Sequence, residues 1–256
     1  MGGRQVLLAA ALATLATLAP SAPGCALSVA MEQWPPYVYL DARDEPAGLD
    51  LELARAILQE AGCSLRILPE LPTVRRQRLF ELGDISLLLA ATDTPERQRL
   101  ARFSSPYRYE SVAVFTTAGK LARYRKLGSM NAIARQRVGL LAPRAGWYGR
   151  AYEQALPALT ASGQLSTFNS VQQGMRMLAA GRADLILGDT GALHHEARLQ
   201  GVTLAPLPFT VLRAPVHLML NRARTTAAEL DAINAAIARL EQQGTLAAIR
   251  ARYDTH

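Results

Sequence analysis

The chain is poor in the residues from which most catalytic and metal centres are built. It has 256 residues, and only two are cysteine and four histidine. There is no C-x-x-C pair, no H-E-x-x-H, no G-x-S-x-G elbow and no phosphate-cradling G-x-x-x-x-G-K-[ST] loop, so no catalytic motif rises above background. His194 and His195 are adjacent, and adjacent residues on a helix point to different faces. They read as surface histidines, with no metal site and no cofactor. Low-complexity tracts and fixed-period repeats are also missing. A composition half hydrophobic and 19 % charged therefore reads as folded rather than disordered. The net charge is +7. However, no run of five basic residues occurs and the arginines are not interleaved with aromatics, which argues against a nucleic-acid partner.

Long apolar runs are missing after the first twenty residues, so no later segment reaches the roughly 18 apolar residues of a spanning helix. The early run is Val6 to Leu18, preceded by Arg4 and broken by Pro20, with small residues Ser21, Ala22, Gly24 and Ala26 after it. That is the layout of a secretory signal peptide over residues 1–24, cleaved between 21 and 26. Gly24-Cys25 resembles a lipoprotein junction, but the leucine expected three residues before the cysteine is absent. The expected product is an exported, periplasmic protein. Cys25 precedes the first predicted strand and Cys63 opens the second. If the two strands are parallel neighbours, the sulfurs start side by side and can form a disulfide, as an oxidising compartment allows. Cleavage after Ala26 would instead leave Cys63 as a lone buried thiol.

What is present is an alternation of strand and helix patterns. Leu27–Glu32 reads as a strand, broken by Trp34-Pro-Pro-Tyr37. Asp50 is placed to cap a helix running to Gly62, Cys63–Leu68 is a strand, and a basic helix covers Thr73–Leu82. Ile85–Ala90 is an apolar strand, followed by a short basic helix carrying Arg97, Arg99 and Arg102. Ser111–Thr117 is β-branched. The cycle then repeats with a strand over Arg137–Leu141, helices over Gly146–Leu156 and Val171–Ala180, a strand over Leu185–Leu187, and a helix over Thr190–Leu199. Pro206 and Pro208 mark a loop before a strand over Pro215–Leu220. Helices over Thr225–Gln243 and Thr245–Tyr253 close the chain. Strand–helix–strand units imply parallel sheets with crossover helices. A second α/β unit set between two strands of the first implies two lobes and a cleft at the carboxyl ends of their strands.

Four blocks in order carry a resemblance. They are WPPYVYLDARDEPAGLDLELARAILQEAG, GDISLLLAATDTPERQRLARFSSPY, GMRMLAAGRADLILGD and GTLAAIRARY. Together they resemble the periplasmic solute-binding proteins of the polar amino-acid ABC transporter family, bacterial extracellular solute-binding protein family 3. The resemblance implies an α/β, two-lobed periplasmic-binding-protein fold of type II, each lobe a mixed sheet flanked by helices. Lobe 1 would comprise 27–113 and 218–256, and lobe 2 would be the insertion 114–217, with hinges near 111–117 and 213–220. The implied function is capture of a small polar amino acid or related zwitterion, delivered to a membrane permease by a monomeric protein that is not an enzyme. Two alternatives stay open. One is a cyclohexadienyl or arogenate dehydratase-like activity on the same fold, although no matching acid stands in 142–150. The other is a periplasmic sensor acting in trans.

Residue by residue, the resemblance implies that Arg97 grips the ligand's α-carboxylate, for which a guanidinium fork is suited. Asp189 would receive the α-ammonium, and it can also cap a helix. Thr92 and the backbone of Ala90 would hydrogen-bond the ligand, and Trp34 would stack on its side chain. Tyr37 reads as packing. Where the family carries hydroxyls in lobe 2, this chain has Arg144 and Ala145, beside expected free helix N–H groups near Gly146. Asp84 and Asp184 sit in turns and read as structural.

Overall fold

A computed structural model describes residues 24–253, so residues 1–23 of the expected signal peptide lie outside the described residues. The chain opens with β1 (Ala26–Ala30), a small hairpin of β2 (Tyr39–Leu40) and β3 (Pro46–Ala47), α1 (Leu49–Glu60) and β4 (Ser64–Leu68). Next come α2 (Thr73–Leu82), β5 (Leu87–Ala91), α3 (Pro95–Gln98), β6 (Ala101–Phe103) and β7 (Arg108–Thr117). The second unit holds α4 (Leu121–Tyr124), α5 (Met130–Arg135), β8 (Leu140–Pro143), α6 (Arg150–Ala161), β9 (Leu165–Phe168), α7 (Val171–Ala179), β10 (Leu185–Asp189) and α8 (Thr190–Leu199). The chain returns through β11 (Leu204–Asn221) and ends on α9 (Ala227–Gln242) and α10 (Thr245–Ala251).

β1 and β4 pair in parallel, with Ala26 opposite Ser64. That register brings Cys25 and Cys63 together, and they form a disulfide. A second sheet runs β5-β11-β7-β10-β8-β9, with β6 also on β11. It is mixed: β8 is parallel to both β9 and β10, while β7 runs antiparallel to β10 and β11. The parallel pairs are joined by helices, as a parallel sheet requires.

β7 and β11 are the two long strands, and they knit the molecule together. Buried side chains of β1, α1, α9 and α10 form one core, with Leu27, Leu53, Ile57, Ile233 and Leu246 at its centre. Other cores form around Val114, Ile133, Leu140 and Leu185, and around Phe115, Met175, Ile186 and Leu193. β11 contributes Val216, Leu218 and Leu220 to the first core and Leu207 to the second. A single strand thus carries side chains into both halves.

Three local expectations are corrected. Pro206 and Pro208 do not make a loop. They lie within β11, where the register against β7 shifts between Pro206 and Thr210, and an irregular pairing tolerates residues that lack an N–H. The short basic helix is a single turn. Thr94 caps it by accepting from the Arg97 N–H and Pro95 opens it, while Arg102 belongs to β6 and donates to the carbonyls of Arg222 and Thr225. Asp50 is no cap. Gly48 holds that position, and its φ of 117° together with a Cβ that would sit 2.3 Å from the Tyr37 carbonyl oxygen leaves room only for glycine.

Candidate functional site: the cleft beside the long strands

The site is built on a buried foundation. Arg108 of β7 is 5 % exposed and Asp50 of α1 is 0 % exposed. Arg108 donates from Nε and Nη2 to the two Asp50 oxygens, at 2.6 and 2.8 Å. The Tyr107 hydroxyl donates to the same carboxylate at 2.9 Å and accepts from the Ala90 N–H at 2.8 Å. The guanidinium lies 4.2 Å from the Tyr37 ring centroid and 5.8 Å from that of Trp34, and the two rings are 4.5 Å apart. Two aromatic rings tilted against each other, with the guanidinium over them, and a two-pronged ion pair together fix this wall. Trp34 is half-buried on it, beside the first core.

Asp189 ends β10 and is 6 % exposed. Its Oδ1 accepts twice, from the Tyr37 hydroxyl at 2.6 Å and from the Ala192 N–H at 2.9 Å. It therefore caps α8 and ties the second half to the first through Tyr37, which does more than pack. Its Oδ2 is buried with no hydrogen-bond partner among the described residues. Burial pushes its pKa up, while Arg108 and the hydrogen bond from Tyr37 oppose the rise. A buried carboxylate oxygen without a donor is costly unless a donor arrives.

Arg97 is half-buried after β5. Its Nη1 donates to the Thr92 carbonyl at 3.0 Å. Burial lowers its pKa, and Glu110 acts against that. Thr92 donates from Oγ1 to Glu110 Oε1 at 3.4 Å. Ala90 has a φ of 49° and its N–H is taken by Tyr107, so only its carbonyl is left for a ligand.

Arg144 and Ala145 are exposed. The Arg144 N–H donates to the Phe168 carbonyl and the Ala145 carbonyl accepts from the Tyr148 hydroxyl. The expected free N–H groups at Gly146 belong to no helix, because α6 begins only at Arg150, after Gly149. Gly146 instead makes room for Tyr148: at a φ of 117°, a Cβ there would stand 2.8 Å from the Tyr148 hydroxyl. The pKa of that phenol is raised by burial first, then by Glu110, Asp189 and Glu32. Three carboxylates from different parts of the chain therefore act on Tyr148. His194 and His195 are half-buried, and His194 packs edge-on against Phe115. Asp184 anchors Lys120 and Tyr124.

Sequence reading missed Glu110 and Arg108. Glu110 lies on β7, and its pKa is raised to about 7 by burial and by Asp189. Two cavities adjoin this region. One of about 340 Å³ is lined by Glu32, Arg76, Ala90 and Arg97, and Arg76 is held by Glu32 at 2.6 Å. The other, of about 690 Å³, is lined by Tyr37, Arg108, Glu110 and Thr190. Among the described residues no group of three His, Cys, Asp or Glu side chains is arranged to hold a metal ion.

The constellation joins a guanidinium fork, an under-partnered buried carboxylate and an aromatic wall. It is suited to holding a small dipolar molecule. The chain is 24 % identical over 196 residues to "Putative ABC transporter arginine-binding protein 2" of Escherichia coli K12, covering 74 % of this chain and 73 % of that protein. Among solved structures, an ancestral arginine-binding protein bound to arginine is similar with a TM-score of 0.73 and 18 % identity, over 90 % of this chain and 98 % of that one. An ancestral amino-acid-binding protein described as a precursor of cyclohexadienyl dehydratase gives a TM-score of 0.72 at 19 % identity, over 89 % and 95 %. These likenesses establish the fold as that of type II periplasmic binding proteins. The model of the bacterial extracellular solute-binding proteins, family 3, matches residues 27–256, and the chain belongs to that family.

Proposed function

We propose that this protein captures a small α-amino acid in the cleft and presents it to the permease of an ABC transporter, as a monomer in the periplasm. The observation that carries this reading is Asp189. One of its oxygens is used twice within the protein, and the other is buried with no donor. A ligand ammonium supplies the missing donor. Arg97, held at the mouth by Thr92, takes the carboxylate with its remaining donors, and Trp34 lines the side-chain wall. Thr92, the Ala90 carbonyl and the Arg144–Ala145 segment are assigned to the same binding site.

The two halves are taken as lobes of 27–113 plus 218–256 and of 114–217, moving on β7 and β11. Arg97 belongs to one lobe and Asp189 to the other. A ligand touching both gains contacts only when the lobes are together, so it shifts the population toward closure.

A thermal-shift screen of the mature protein against amino acids and simple organic acids tests this. At ligand one-hundredfold above its Kd, stabilisation is about 2.7 kcal/mol. Stabilisation by amino acids that Arg97→Ala abolishes supports the reading. Stabilisation only by acids lacking an amine removes Asp189 from its assigned role.

A further inference from the structure

Positive charge is distributed very unevenly along the chain. Residues 114–217 hold twelve Lys and Arg against four Asp and Glu, whereas residues 27–113 and 218–256 together hold fifteen against seventeen. The excess gathers at one end of the second half. We infer that this end is a docking surface for an anionic phospholipid bilayer, a property independent of the ligand proposed above.

Sheet topology makes the end. β10 runs antiparallel to β7 and parallel to β8, so the last residues of β7 and the first residues of β8 and β10 share one edge. β11 enters at the same edge, with Leu204 opposite Thr117. The segments flanking this edge are basic. Arg123, Arg125 and Lys126 follow β7, Arg135 and Arg137 precede β8, and Arg182 precedes β10; all six are exposed. Asp184 is the single acidic residue beside them. It is already engaged by Lys120 and Tyr124, with the Arg123 guanidinium 3.9 Å away. The side chains of the other five make no hydrogen bond or ion pair among the described residues. Cations gathered without counter-charges repel one another, so the cluster calls for negative charge from outside the chain.

A bilayer fits this end better than a small anion or an acidic protein. The charges sit on separate segments and line neither of the two cavities. No point ligand meets them together, whereas a plane of phosphates does. An apolar residue stands with them. Leu199, 70 % exposed, closes α8 beside Arg198, and the chain then reaches the edge where the Thr203 carbonyl accepts from the Ala118 N–H. Basic side chains around an exposed leucine suit the boundary between headgroups and acyl chains. Asp189 closes the opposite end of β10, roughly 16 Å from Asp184 at the rise of an extended strand. Docking through the basic end therefore keeps the lipid away from Asp189.

The test is sedimentation of the mature protein with vesicles of pure phosphatidylcholine and with vesicles of equal parts phosphatidylcholine and phosphatidylglycerol. Binding is expected to the anionic vesicles alone. It should fade as ionic strength rises from about 0.01 to about 0.15 M, where the screening length shortens from about 30 to about 8 Å. Neutralising three charges together, Arg125→Gln, Lys126→Gln and Arg182→Gln, should weaken binding by roughly a hundredfold, at about fivefold for each charge near the surface. The same change at three exposed arginines of the first half, Arg43→Gln, Arg55→Gln and Arg66→Gln, should leave it within about twofold. Leu199→Ser should weaken vesicle binding severalfold and leave untouched the weak binding of a short DNA duplex, offered as a soluble polyanion. Equal binding to the two vesicle types, or equal losses from the two triple variants, overturns the docking surface. A duplex held as tightly per phosphate as the vesicles, or a Leu199→Ser variant that binds them like the wild type, overturns the assignment to lipid. If a variant misfolds, the wild-type comparison of the two vesicle types and the duplex across the salt series decides alone.

Discussion

Arg108 and Arg97 are side chains of one type, carried by neighbouring elements of the same half of the molecule. Arg108 is sealed in, its fork closed on both oxygens of Asp50 and its face covered by Tyr37 and Trp34. Arg97 is half-exposed and, among the described residues, makes a single side-chain hydrogen bond, to a backbone carbonyl. On the proposed reading, the difference separates a charge that builds from a charge that binds. A buried ion pair holds a wall in place only if both partners are present, because either alone is an uncompensated charge. A binding charge is left short of partners so that the ligand completes it.

The strongest way to break this comparison is to remove the Arg108 partner. Asp50→Ala leaves a buried guanidinium and deprives Tyr107 of its acceptor. It should cost about 3–5 kcal/mol in urea denaturation, whereas Arg97→Ala should stay within about 0.5 kcal/mol in the ligand-free protein. Similar losses from both variants would erase the distinction between building and binding charges.

On the proposed reading Asp189 belongs to both classes, and two substitutions separate its roles. Asparagine still caps α8, so Asp189→Asn should change stability little, yet amino-acid affinity should fall by roughly a hundredfold as a charge-assisted contact is lost. Asp189→Ala removes the cap as well, at about 1 kcal/mol more. Chemical denaturation and calorimetry on the two variants read the roles independently. Equal stabilities would show that the cap contributes nothing.

The same division explains what could be seen in the sequence. The elements were legible because apolar runs such as Ile85–Ala90 are bounded by turn residues, and the Cys25–Cys63 bridge followed from two strand starts. Of the site residues assigned in advance, Asp189 ends β10 and Ala90 and Thr92 lie at the end of β5, where pattern and resemblance coincide. Arg108 and Glu110 stand inside a strand, in a stretch reading Arg-Tyr-Glu-Ser. Nothing in it shows that alternate side chains face a buried aspartate and a cleft. The partner of Arg108 lies 58 residues away, and only the tertiary fold brings the two together. The period-two alternation of a strand was the one available signal, and it needed the strand to begin at Arg108 rather than Ser111. Asp50 was misread for the complementary reason. An acidic residue near a helix start suggests a cap, but here the turn is made by Gly48 and the carboxylate points inward to a distant arginine.

The finest effect concerns Glu110 without any ligand. Its folded pKa, about 7, lies above the ordinary 4.5, so between those values the folded state binds more protons than the unfolded one. Stability from this group is therefore fully present below pH 4.5 and is lost as pH rises through 7. Solvent reaching a half-buried carboxyl limits the loss to about 1 kcal/mol. Glu110→Gln has no proton to lose. It should match the wild type near pH 5 and exceed it by about that amount at pH 8, measured as urea midpoints of the two proteins across the series. Arg97→Ala should steepen the wild-type slope, because it removes a cation that interacts with Glu110. Parallel slopes in all three proteins would mean that Glu110 is already solvated in the folded protein.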